Sequence, residues 1–260
     1  MTNSSPRPVA LVTGASRRVG RAVAVELARA GLGLVLTYRT RRAECDETAR
    51  VAVEAARAAG HAVRAACMEL DLSDTAASER FADEVERARR AKGASIDVVV
   101  HNASAYEPSP FAAIDAKVVE SMHRIEVVSP LLITARLRDG LEASRREGGA
   151  AVVFFSDMYA LGRARAGYTA YMLAKASVET LARQLAVELA PKVRVHCVAP
   201  GVVMWPDDFP DAHKQEVLAR TPLARAGTPE EAARLVRFLA LEATFSTGGT
   251  VAIDGGRGLR

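Results

Sequence analysis

"LVTGASRRVGRAVAVEL", Leu11 to Leu27, decides the fold. An apolar run ends at Thr13–Gly14, a polar turn follows, and from Val19 apolar residues recur at helical spacing. Strand, tight turn and helix in this order form the context of a dinucleotide phosphate turn. Gly14 allows the turn, Gly20 allows close packing as the helix begins, and the helix's free N–H groups can face a pyrophosphate. An ordinary glycine-bearing strand–helix turn is the competing reading. Two adjacent arginines, Arg17 and Arg18, stand in a loop that usually carries glycine at the second place.

Outward from this unit, short β-type runs alternate with helical segments. The strand candidates are 8–13, 33–38, 61–67, 96–101, 149–155, 192–198 and 249–253. The first, fourth and fifth are nearly continuous apolar runs, as in strands covered on both faces. Helical spacing marks Val19–Ala30 and Val178–Leu189. The alternation predicts an α/β fold with a doubly wound parallel sheet of about seven strands. No linker, repeat or low-complexity block divides the chain, so 8–260 reads as one domain behind a flexible segment, 1–7. The longest stretch without pattern, 199–228, is the candidate lid.

Composition excludes several classes. Apolar residues make up 49% and charged residues 25%, an ordinary globular balance. No apolar run approaches a membrane span, and "MTNSSPRP" lacks a signal core, so a cytoplasmic location is expected. Cys45, Cys67 and Cys197 are far apart in sequence and suggest neither disulfides nor zinc. The five histidines lack metal-ligand spacing, so no metal is expected. A net charge of +4 invites a nucleic-acid reading, but the arginines are interleaved with acids as on solvated helix faces. No nucleic-acid partner is expected.

Other motifs sharpen the phosphate turn. The second strand ends in "TYRTRR", without the acid that would hold an NAD ribose hydroxyl. Arg18 and Arg39 could instead converge on a 2′-phosphate, although a solvated loop charge remains the simpler account of Arg39 alone. "YMLAK" sets Tyr171 and Lys175 four apart on one helix face. "ELDLS" (69–73), "HNAS" (101–104) and "VAPG" (198–201) end further strands. In order and spacing these motifs resemble the short-chain dehydrogenase/reductase family over nearly the whole chain, which implies a single Rossmann-type domain.

Finer details resemble the pteridine reductase branch, the bacterial dihydromonapterin reductase type included. They are Arg18 in the glycine's place, the segment "HNASAYEPSP", the Asp of "FFSD" and the ending "DGGRGLR". The resemblance implies NADPH as cofactor, held by Gly14, Arg18, Val19, Tyr38, Arg39, Asp71, Leu72, Asn102, Ala103, Ser104, Lys175, Pro200 and Gly201. It implies Tyr106, Asp157, Tyr171 and Trp205 around a pterin, with Tyr106 stacking on it and the Trp205 loop closing over. It also implies a homotetramer paired through helices near Lys117–Arg138 and Tyr168–Leu189, with a tail that brings Arg257 or Arg260 toward a neighbour's site. Loop packing is the plainer role for Tyr106 and for Trp205.

The catalytic candidates are Asp157, Tyr171 and Lys175. A hydride acceptor gains negative charge, so a proton donor must stand nearby, and Tyr171 is that general acid. A cation one turn away, Lys175, is expected to lower the phenol's pKa. An ionised Asp157 cannot donate to an oxyanion as serine would, and it suits a ring-nitrogen acceptor instead. A turn-forming aspartate is the alternative. Asp157 and Tyr171 lie one position further apart than in the family, leaving Ser156 a rival for the catalytic position. Glu126 replaces the family's relay asparagine, which puts the usual water relay in question. The function expected is NADPH-dependent pterin reduction; the rivals are a carbonyl reductase of 3-oxoacyl thioesters or ketones, and a non-catalytic NADP sensor.

Overall fold

The computed structural model describes residues 8–205 and 209–259. Seven strands alternate with helices: β1 (Pro8–Val12), α1 (Arg18–Arg29), β2 (Gly33–Tyr38), α2 (Arg42–Ala58), β3 (Ala65–Glu69), α3 (Thr75–Ala91) and β4 (Ser95–His101). Then come α4 (Ala116–His123), α5 (Ser129–Arg136), α6 (Arg138–Glu142), β5 (Ala150–Phe155), α7 (Thr169–Glu188), β6 (Val193–Pro200), α8 (Asp211–Ala219), α9 (Pro229–Leu241) and β7 (Thr250–Ile253). The strands pair in parallel in the order β3-β2-β1-β4-β5-β6-β7. The order reverses between β1 and β4, where a doubly wound sheet opens its ligand crevice.

Alternation along the central strands builds two cores, because successive side chains point to opposite faces. Ala10, Val12, Val98, Val100, Ala151 and Val153 pack against α1, α2 and α9. Leu11, Ile96, Val99, Val152 and Phe154 pack against α3, α5, α6 and α7 on the other side. Arg194 on β6 is a buried exception. Its guanidinium donates to the carbonyls of Leu239, Ala240 and Ala243 at the end of α9 and to that of Gly148.

Several expectations need correction. The third strand is 65–69 rather than 61–67, because pairing runs from Leu34↔Ala65 to Tyr38↔Glu69. The continuous helix expected over 117–138 is broken: α4 passes into one π turn, Arg124–Val128, and α5 restarts with Pro130 in its first turn. The patternless stretch 199–228 contains α8, which buries no residue and so leaves no apolar stripe to read. Cys45 and Cys67 are neighbours in space, Cys67 packing against the core that holds Cys45, and both are free thiols. Among the described residues no helix is long and apolar enough to cross a membrane, and no cluster of metal-ligating side chains occurs.

Candidate active site

The turn after β1 is braced from β4. The Asn102 amide donates to the carbonyls of Thr13 and Gly14, and Thr13 Oγ1 accepts from the backbone N–H groups of Asn102 and Ala103. Gly14 has φ of +64°, and a Cβ there would meet Ala103 at 2.9 Å. A Cβ on Gly20 would overlap the Gly14 carbonyl and the Asn102 amide. Only glycine lets the turn close on β4 this tightly. Arg18, at the next helix's start, has φ of +54°, a left-handed conformation that glycine adopts freely and arginine does not.

A cleft of about 520 Å³ opens over this turn. Of the expected cofactor residues, Gly14, Arg18, Val19, Tyr38, Arg39, Asp71, Leu72, Asn102, Ala103 and Ser104 line it, together with Tyr106. Arg17 and Arg41, not among the cofactor residues expected from the sequence, line it too. Four arginines thus line the cleft after β1 and β2, Arg41 with its guanidinium 2.7 Å from Glu44, and their positive charge suits a phosphate. Burial opposes the charge on Asp71, yet two hydrogen bonds from Ser73 and the field of Arg39 hold its carboxyl below the usual range. Pro200 and Gly201 do not line this cleft. Pro200 ends β6 and Gly201 follows it, its N–H donating to the Ile253 carbonyl.

The catalytic candidates meet beside the cleft. The Tyr171 hydroxyl donates to Asp157 Oδ2 at 3.1 Å, and Asp157 Oδ1 caps the next turn by accepting from the Tyr159 N–H. Ser156 points the other way, its hydroxyl donating to Glu179 Oε1 at 2.9 Å in a buried pocket. The extra residue before Tyr171 therefore leaves Asp157, not Ser156, against the phenol. A 3-10 turn, Met158–Leu161, and a left-handed Gly162 take up the slack.

Lys175 lies on the same face of α7, 2% exposed, and donates to the Phe155 carbonyl at 2.8 Å. Its ammonium is 2.7 Å from Glu126 on the π turn. Glu126 also accepts from the Ser104 hydroxyl at 2.6 Å and the Ala105 N–H at 2.9 Å. The helix spacing predicts a lysine that lowers the phenol's pKa, but here its charge is met by a carboxylate instead. Burial pushes the Tyr171 phenol well up, and the charges of Asp157 and Glu126 add to the rise. Tyr171 is held protonated.

Aromatic rings surround this centre. Tyr106 stacks on Tyr168 at 4.9 Å and meets Tyr171 edge-on at 5.1 Å. Trp205 packs on Phe209 at 5.1 Å, and no ring contact joins it to Tyr106 or Tyr171 among the described residues. Within the chain, Arg257 of the tail donates to the Tyr159 hydroxyl at 2.9 Å. Arg260 lies outside the described residues.

Comparison with known proteins fits this geometry. A family model described as enoyl-(acyl carrier protein) reductase matches residues 14–257. The chain is 31% identical to a dihydromonapterin reductase of Escherichia coli and 29% identical to one of Klebsiella pneumoniae, covering all of both chains in each case. Among solved structures it resembles a metagenomic blue fluorescent protein in complex with NADPH, with a TM-score of 0.80 and 26% identity over 97% of this chain and 98% of that one. A short-chain dehydrogenase of Burkholderia cenocepacia in complex with NADP gives 0.81 and 27%, over 98% and 99%.

Proposed function

We propose that this chain, which belongs to the short-chain dehydrogenase/reductase family and is an oxidoreductase, reduces a dihydropterin at the expense of NADPH. The observation that carries the substrate is the Tyr171–Asp157 hydrogen bond. A carboxylate beside the proton donor repels a developing oxyanion but accepts from the N–H groups of an amino-pyrimidine ring. The full-length likeness to dihydromonapterin reductases supports the same substrate class.

The cleft fits NADPH. The turn at Gly14 and Gly20 lets the pyrophosphate approach the backbone, and Arg18 and Arg39 flank the end of β2 where the 2′-phosphate belongs. When bound, NADPH supplies the hydride. Tyr171 holds the matching proton at its hydroxyl and delivers it to a ring nitrogen that displaces Asp157 as hydrogen-bond partner. Asp157 orients the ring, and Lys175 keeps its ammonium beneath the phenol, 5.6 Å from the ring centre. Glu126 fixes the lysine's position. A homotetramer is compatible with Leu173 and Val187, which stay exposed on the outer face of α7; light scattering tests it.

A panel followed by NADPH absorbance tests the reading. Dihydromonapterin, dihydrobiopterin or dihydrofolate should be turned over, with no comparable rate on acetoacetyl thioesters. Turnover of thioesters alone would replace it with the carbonyl reading.

A further inference from the structure

Three arginines outside the catalytic centre converge on one ring. The guanidinium carbons of Arg163, Arg165 and Arg257 lie 5.9, 5.2 and 5.6 Å from the centre of Tyr159. Arg165 also lies over Tyr168 at 4.4 Å and Tyr106 at 5.2 Å. Arg257 donates to the Tyr159 hydroxyl, and Arg163 donates to the Arg257 carbonyl at 2.8 Å. Among the described residues no carboxylate forms an ion pair with any of the three, whereas arginines such as Arg41, Arg50, Arg124 and Arg138 sit beside an acid. Like charges gathered without a counter-ion repel one another, and the aromatic faces only partly offset that cost.

Their position gives the cluster a use. Tyr159 donates its backbone N–H to Asp157, so the cluster begins two residues beyond the catalytic carboxylate. Tyr106 touches both Arg165 and the edge of Tyr171. A flat substrate against Tyr106 and Asp157 has these guanidiniums at its outer end.

We infer that Arg163, Arg165 and Arg257 form an anion subsite at the substrate mouth, which selects substrates carrying a carboxylate or phosphate on the chain beyond the reduced ring. This rests on the pterin reading and deepens it. A neutral polyol side chain gives the three arginines nothing to neutralise. The glutamate of a pteroylglutamate or the phosphate of a phosphorylated dihydropterin supplies the missing charge through charge-assisted, bidentate contacts. One such contact corresponds to about a tenfold gain in affinity.

The test compares three oxidised, unreactive probes on the NADP⁺-loaded enzyme by calorimetry: biopterin, neopterin phosphate and folic acid. It adds steady-state rates on their dihydro forms. At least one anionic probe should bind ten times more tightly than biopterin or better. That advantage should fall as salt rises and shrink about tenfold in Arg165→Gln and in the Arg163→Gln/Arg257→Gln pair, with Arg165→Lys recovering part of it. Preference for the phosphate over the glutamate, or the reverse, identifies the anion's source. If biopterin binds and dihydrobiopterin is reduced as well as the anionic compounds, the subsite is refuted while the pterin reading stands. If no pterin binds at all, both fall together.

Discussion

The Glu126 carboxylate stands 2.7 Å from the Lys175 ammonium, and both side chains are almost wholly buried. Removing one partner of such a pair leaves the other charge stranded, a loss of about 3–5 kcal/mol. Glu126→Gln should therefore lower the melting temperature markedly. It should also move the alkaline limb of the pH–rate profile downward. Tyr171 donates only when protonated, so activity falls as pH rises through its pKa, and Glu126 is one of the charges that raise that pKa. An alkaline limb that stays put or moves upward would show that the carboxylate does not act on the phenol.

Asp157 is the residue on which the substrate class turns. Asp157→Ser should cut pterin turnover about 10²–10⁴-fold, the range for a lost acid–base partner, with little change in NADPH affinity measured by fluorescence titration. Ser156→Ala should retain most of the rate, because its hydroxyl faces Glu179. The reverse ranking would hand the catalytic position to Ser156.

Cofactor choice should follow the arginines at the cleft mouth. Arg39→Asp is expected to reduce the preference for NADPH over NADH by tenfold or more, read as the ratio of kcat/KM values. Arg18→Gly makes a separable forecast. Relief of the left-handed backbone at φ +54° should add up to about 1 kcal/mol of stability, while the KM for NADPH rises. Lower stability together with unchanged KM would contradict both halves.

Two buried histidines set an acid limit. Burial lowers His101 from 6.5 to about 3, its ring stacked on Phe154 with Nε2 2.8 Å from the Thr134 hydroxyl. Burial and the Arg194 charge lower His196 to about 4. Both are neutral when folded and take a proton on unfolding below their ordinary pKa. The unfolded chain thus binds more protons between about pH 4 and 6.5, and stability falls with pH there by up to about 1.4 kcal/mol per unit for each histidine. Melting temperatures from pH 7 to 4 should decline, and His101→Gln should flatten the slope. An equally steep slope in that variant would point to other groups.

Where burial is two-sided, the sequence was easy to read. β4 and β5 are buried at every position, so their apolar runs stand out to within a residue at each end. β3 has no fully buried residue and α8 buries none, so no apolar pattern fixes the start of the one or the presence of the other. The phosphate turn and the Tyr171–Lys175 pair stand out because each keeps a fixed local spacing, whereas the extra residue before Tyr171 leaves Ser156 beside Asp157 as a rival until the geometry sets Asp157 against the phenol. The Glu126–Lys175 pair does not stand out, since a carboxylate and an ammonium forty-nine positions apart carry no sign of contact. Nor does the sequence mark the grouping of Arg163 and Arg165 around Tyr159 with Arg257, which the fold brings from the far end of the chain.

The π turn at Arg124–Val128 spends one more residue on its coil than an α-helix would. Deleting a single residue there would give a smoother helix and leave the core-facing side of α5 free to keep its seat. The same deletion would swing Glu126 by about 100° around the axis, away from Lys175 and Ser104. Local regularity and the chemistry of the site are thus in direct competition at five residues, and a design that idealised this helix would leave the buried lysine unanchored and its charge stranded.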